Sequence, residues 1–179
     1  MYWRILLLLN LLALALSSTN DANKVVVDFV GEDRGMTSIN WNGTNIDFGS
    51  ITISSMDAGY IEIEDIVVIS ELSSNSAIKI TATHGGWSSL PTGYSGNKSN
   101  TTGDVKIFVD NLASGLSPYS GSTFGSEYTQ ITNSGNHILQ TSGSVSGVTG
   151  DINARILLDW STDIKGSYNL SLDFTVTDY

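Results

Sequence analysis

An all-β sandwich is the fold this sequence predicts, and three observations predict it. Apolar and polar residues alternate with period two in many short stretches, clusters of Gly, Ser, Thr and Asn separate those stretches, and beyond the N-terminus no window shows helical periodicity. Nine or ten short strands in roughly 160 residues, with almost no helix, point to an immunoglobulin-like (Greek-key) β-sandwich preceded by an N-terminal extension strand. A closed barrel is the structural alternative.

The first residues are read as a targeting segment. Met1-Tyr2-Trp3-Arg4 carries one positive charge, Ile5 to Leu16 is apolar apart from Asn10, and Ala15-Leu16-Ser17 offers small residues at a cleavage site. Residues 1–17 are therefore expected to be a secretory signal peptide. An apolar core of about a dozen residues falls short of the ~20 a spanning helix needs, so the expected mature chain is secreted and has no membrane span. Residues 18–33 then form an N-terminal extension and residues 34–179 the sandwich domain.

The chain has 8 Lys+Arg against 18 Asp+Glu, a net charge of −10, and no cysteine. Acidity without a basic cluster argues against nucleic acid or anionic lipid as a partner and is compatible with cations. An exported domain without disulfides must be held by packing, metal ions or assembly.

Taken in order, "NKVVVDFV" at 23–30 reads as a strand apolar on both faces, with Val25, Val27 and Phe29 on one and Val26 and Val30 on the other. Thr37 to Trp41 and Thr44 to Phe48 flank Asn42-Gly43, a type I′ turn signal, and read as a hairpin. Strands are expected next at Ser50 to Ser54, at Tyr60 to Glu71 (two strands, or one bent near Asp65), at Ala77 to Thr83 and at Val105 to Val109. Tyr128 to Ile131, His137 to Gln140 and Gly143 to Val148 follow. At the C-terminal end, "DINARILLDW" sets Ile152, Ala154, Ile156, Leu158 and Trp160 on one face. "GSYNLSLDFTVTDY" does the same with Tyr168, Leu170, Leu172, Phe174 and Val176. The polar turn between them predicts an antiparallel hairpin. Residues 84–103 and 111–127 are long Gly/Ser-rich connections holding both prolines and several exposed-looking aromatics.

Catalytic chemistry is thinly represented, and the chain is not expected to be an enzyme. There are two histidines, His84 and His137, and no nucleophile elbow, zinc-binding helix motif or phosphate-binding loop. "HGGW" at 84–87 reads as a glycine turn with a surface histidine. Calcium is a secondary expectation, because Asp104, Asp110, Asp159 and Asp163 stand beside turns as candidate oxygen ligands. Glu62 and Glu64 read as a solvated face. Trp87 and Tyr94 are candidate ligand-stacking aromatics, the alternative being that they fold back over the open end of the sandwich. The sequons at Asn42, Asn97, Asn100 and Asn169 mark surface wherever they are used.

Two short motifs carry a family resemblance: Phe48-Gly49 in "NIDFGSITI", and Gly166-Ser167-Tyr168 opening the last alternating strand. Here the chain resembles secreted fibre subunits of the spore-coat-protein-U and related pilin-like sandwich families, although it lacks the cysteines common in the spore-coat-U type. The resemblance implies assembly by donor-strand complementation, in which one subunit's N-terminal strand fills the groove of the next. Under this reading Val25, Val26, Val27, Phe29 and Val30 form the donor strand, and copies of the chain itself are the partner in an extracellular, cell-surface filament or coat. The alternative function is a monomeric, surface-held module that binds a glycan or protein through its aromatic loops.

Overall fold

The computed structural model describes residues 24–31, 36–42, 45–47, 51–96, 98, 104–164 and 168–178; for the first three segments only the backbone pairing is described. The expected signal peptide lies outside these residues, as do Phe48, Gly49, Gly166 and Ser167 of the family motifs. The fold is a β-sandwich of a six-stranded and a five-stranded sheet. Its strands are β1 (Lys24–Gly31), β2 (Met36–Asn42), β3 (Asn45–Asp47), β4 (Tyr60–Ser74), β5 (Ile78–Ser89), β6 (Val105–Asp110), β7 (Leu116–Pro118), β8 (Thr129–Gln130), β9 (Asn136–Thr141), β10 (Val145–Leu157) and β11 (Asn169–Asp178), with one short helix, α1 (Ile53–Ala58), before β4. The six-stranded sheet runs β3-β1-β11-β5-β9-β7 and the five-stranded sheet β2-β4-β10-β6-β8.

The core lies between the sheets and follows the period-two pattern. Ile78, Ile80 and Ala82 of β5, with Leu170, Leu172, Phe174 and Val176 of β11, meet Val67, Ile69 and Leu72 of β4, Val105, Ile107 and Val109 of β6, and Ile152, Ala154 and Ile156 of β10. All are buried. Burying so many branched and aromatic side chains, each contributing roughly 1.5–3 kcal/mol, lets the domain hold together without disulfides.

Both expected hairpins are arches instead. β2 pairs with β4 in the five-stranded sheet, whereas β3 pairs with β1 in the six-stranded one. β10 likewise pairs with β4 and β6, while β11 pairs with β5 and β1. A strand with one apolar face can satisfy it beside its neighbour or opposite it across the core, and local alternation is the same in the two cases.

The expected strand at 50–54 is replaced by the start of α1. Thr52 is its N-cap: the Thr52 Oγ1 accepts from the Ser55 N–H at 3.1 Å, and the Thr52 N–H donates to the Ser55 Oγ at 2.8 Å. This capping box satisfies backbone donors that a strand would have left to a neighbour. The helix stops at Gly59, whose φ of 77° suits glycine.

Tyr60 to Ser74 is one strand with a bulge at Asp65, where φ is 55°. Opposite it the β10 register shifts between Ile152 and Ala154. Asn153 fills the irregularity: its side chain accepts from the Asp65 N–H at 2.7 Å and donates to Asp110 Oδ1 at 3.1 Å, tying β4, β10 and β6 together.

The expected loop from residue 84 begins as strand, since β5 continues to Ser89. Its register against β11 shifts at Gly85, where a Cβ would stand 2.8 Å from Ser171 Oγ and Asp173 Oδ2. Glycine there lets the bulged strand stay paired. In the other long connection Phe124 is core, not exposed, and β7 adds an edge strand. Gly143 to Val148 merges into β10, and Trp160, expected on the inward face, is 60% exposed.

Candidate functional site

Two places hold the residues singled out by the sequence: the edge of the six-stranded sheet at β1, and the end of the sandwich where β5, β10 and β11 meet.

At the first, β1 runs beside β11 in register from Lys24 opposite Asn169 to Gly31 opposite Val176, the one parallel pair among the described strands. Val25, Val27 and Phe29 occupy register positions opposite Leu170, Leu172 and Phe174, all core residues. On its other side β1 meets the three-residue β3, pairing only through Lys24, Val25 and Val26. In the single chain, the strand expected to serve a neighbour thus lies against its own sheet. The next strand of the chain, β2, lies in the other sheet.

At the second place, β5 delivers His84 and Trp87 to Asp104, just before β6. His84 Nδ1 accepts from the Gly86 N–H at 3.1 Å, a geometry that puts the ring proton on Nε2, 3.0 Å from Asp104 Oδ1. The Trp87 indole N–H donates to Asp104 Oδ2. His84 and Asp104 are 1% and 2% exposed, so "HGGW" is a buried tie and not a turn with a surface histidine. The pair resembles a catalytic dyad, but both ring nitrogens and both carboxylate oxygens already have protein partners.

A second tie secures the loop that follows. Lys98, 3% exposed, donates from Nζ to the Leu157 carbonyl at 2.9 Å and to Asp163 Oδ2 at 2.6 Å. Tyr94 donates its hydroxyl proton to Asp163 Oδ1 at 3.2 Å and accepts the Lys98 N–H at 3.0 Å. Burial pushes the Tyr94 hydroxyl up to about 12; the bond from Lys98 opposes that rise and the Asp163 carboxylate adds to it. Tyr168, at the start of β11, loops back: its hydroxyl donates to the Ile164 carbonyl at 2.7 Å and accepts the Ile164 N–H at 3.0 Å. Edge-to-face contacts join the rings, with Trp87 to Tyr168 at 6.0 Å and Tyr94 to Tyr168 at 5.8 Å.

Trp87 and Tyr94 are accordingly half-buried parts of one packed cluster, the fold-back alternative of the sequence reading. The four aspartates named as calcium candidates do not converge. Asp104 and Asp163 serve the two ties, Asp110 receives Asn153, and Asp159 Oδ1 receives the Ser161 N–H at 2.8 Å and hydroxyl at 2.7 Å. Those bonds from Ser161 hold the Asp159 carboxyl below its usual range. Among the described residues no group of three His, Cys, Asp or Glu side chains is placed to hold a metal ion.

What remains open is a cleft of about 460 Å³ between the α1–β4 junction and residues 157–160. Lys98, Asp104, Asp159 and Trp160 line it together with Met56, Gly59, Leu157 and Leu158. Sequence reasoning missed Lys98, the lone basic residue of the 84–103 stretch, and Trp160, which it turned inward. Isolation of a lysine among Gly, Ser and Asn was the available signal for the first.

No family model matches the chain, and no curated protein matches it. No helix among the described residues is long and apolar enough to cross a membrane.

Proposed function

We propose that the chain is a structural subunit of an extracellular filament or coat, polymerising head to tail when residues 24–30 of one copy insert into the next. The observation that carries this reading is the position of β1, paired in parallel along all eight of its residues with β11 yet held on its far side by only three residues of β3. A strand so placed depends mainly on main-chain bonds to one neighbour, and a second copy can supply the same bonds in the same register. Vacating the site leaves the β11 edge from Asn169 to Val176 unpaired, which favours refilling it. Head-to-tail exchange of this kind extends into a polymer unless its rotation closes. The resemblance to pilin-like sandwich subunits supports the same reading.

The test uses a cysteine pair across the β1–β11 register, Val30→Cys with Thr175→Cys, in a chain that has no other cysteine. Thr175 is half-buried and outside the core, so its replacement leaves the packed interior intact. After oxidation, non-reducing electrophoresis of the secreted material should give a ladder of covalent multimers, matched by fibres in negative stain. Monomer carrying an internal disulfide would refute exchange, and a ladder stopping at dimer would refute the filament. Val27→Asp should independently abolish fibres.

A further inference from the structure

Large aromatic side chains at the β5–β10–β11 end are packed against one another, with Trp160 as the exception at 60% exposure. Its backbone is nonetheless tightly held. The Leu158 N–H donates to the Gly59 carbonyl at 2.8 Å, the Asp163 and Thr162 N–H groups donate to the Asp159 carbonyl at 2.8 and 3.2 Å, and Asp163 Oδ2 accepts the Asp159 N–H at 2.9 Å. An exposed indole on a pinned turn is pre-organised for contact, because little backbone freedom remains to be lost when a ligand arrives.

Beside it the cleft combines apolar surface from Met56, Leu157 and Leu158 with two usable polar groups. Lys98 has three N–H donors, of which the Leu157 carbonyl and Asp163 take two. Asp159 is fully exposed and offers carboxylate acceptor capacity beyond its bonds from Ser161. Asp104 is buried and already accepts from His84 and Trp87.

We propose that this cleft binds a neutral saccharide, the Trp160 indole stacking on the C–H face of a sugar ring while Asp159 and Lys98 take its hydroxyls. Ligand charge follows from the setting: Asp104, Asp159 and Asp163 outnumber Lys98, so an anion is repelled, and with Asp104 held by His84 and Trp87 and Asp163 by Lys98, Asp159 is left as a single carboxylate and not as part of a cation-binding group. A ring with an apolar face and a rim of hydroxyls needs an aromatic plane, a donor and an acceptor side by side, which is what the cleft provides. Its volume of about 460 Å³ falls within the roughly 300–1,000 Å³ of small-ligand sites. The site is independent of strand exchange, since none of its residues belongs to β1 or β3.

The experiment is saturation-transfer NMR and titration calorimetry on the full secreted chain. Its probes are glucose, galactose, mannose and N-acetylglucosamine and their two- to four-ring oligomers, with choline and sialic acid as charged controls. At least one neutral series should bind, and Trp160→Ala should weaken it about tenfold while Trp160→Phe retains part of the affinity. Because Trp160 is exposed, the thermal midpoint of Trp160→Ala should match that of the parent. Absence of binding by every neutral probe, binding unchanged in Trp160→Ala, or a response to choline or sialic acid alone would overturn the proposal.

Discussion

Two ion pairs join opposite charges at nearly the same distance and do different work. Lys98 meets Asp163 at 2.6 Å with side chains 3% and 1% exposed, whereas Arg155 meets Glu62 at 2.5 Å with both side chains 30% exposed. Around the first, the contacts come from three stretches of chain: Tyr94 and Lys98 from the long connection, Leu157 from the end of β10, and Asp159 and Asp163 from the segment after it. Around the second lies a sheet surface, with the guanidinium 4.3 Å over the Tyr60 ring and 3.8 Å over the Tyr128 ring. Burial and a Glu62 hydrogen bond hold the Tyr128 hydroxyl proton well above its usual range. Burial turns the same charge pairing into an anchor for two loops, while exposure leaves it an ornament on strands already bonded by their backbones.

Breaking the buried pair from one side should show the difference most strongly. Asp163→Ala leaves the Lys98 ammonium enclosed without its counter-charge and also removes the acceptor of Tyr94 and Asp159. The expected loss is about 3–5 kcal/mol in urea unfolding. Replacing both partners at once, Lys98→Met with Asp163→Leu, should return most of that loss, because no unpaired charge is then buried. If the double variant is as unstable as the single one, the tie acts through its directional bonds and not through its charges.

Glu62→Ala is the matching cut on the surface. It should cost under ~1 kcal/mol, and the difference from the parent should shrink further in high salt, since water and ions already screen the pair. The guanidinium keeps its stacking between Tyr60 and Tyr128 in that variant, so a larger loss would mean the aromatic stack depends on Glu62 to orient Arg155.

This contrast also marks what the sequence makes legible. Period-two alternation announced the core faces of β6 and β11 residue by residue, because burial on one side of a strand leaves its mark every second position. It was silent on which strand lies beside which. Asn42-Gly43 and the turn before Tyr168 announce chain reversals, and reversal within a sheet and reversal across the core share the same local chemistry. Gly85 looked like the start of a loop, since a glycine that permits close approach to Ser171 and one that merely ends a strand are the same letter. The sandwich-end cluster was half legible: Asp104, Asp159 and Asp163 were singled out as metal ligands, and Trp87 and Tyr94 as stacking aromatics or as rings folded back over the open end. Their partners lie far along the chain, with His84 20 positions from Asp104, Lys98 65 from Asp163 and Tyr168 74 from Tyr94, too far apart for any spacing rule.

The smallest effect tests the exposed side of the same comparison on the other sheet. His137 sits 4.9 Å from the Tyr119 ring, its Nδ1 2.8 Å from Thr81 Oγ1. Partial burial and the nearby Lys79 lower its pKa from the ordinary 6.5. A histidine that protonates less readily when folded contributes stability that is present above pH 6.5 and is lost as the pH falls through that value toward the folded pKa, because the unfolded chain takes up the proton first. His137→Gln should therefore flatten the stability profile slightly between about pH 7 and 5 relative to the parent, read as the difference of urea midpoints at each pH. The change should be small, since the ring is exposed on its outer side. A steeper acid loss in the variant would mean that His137 is stabilised as the cation and that Lys79 does not govern it.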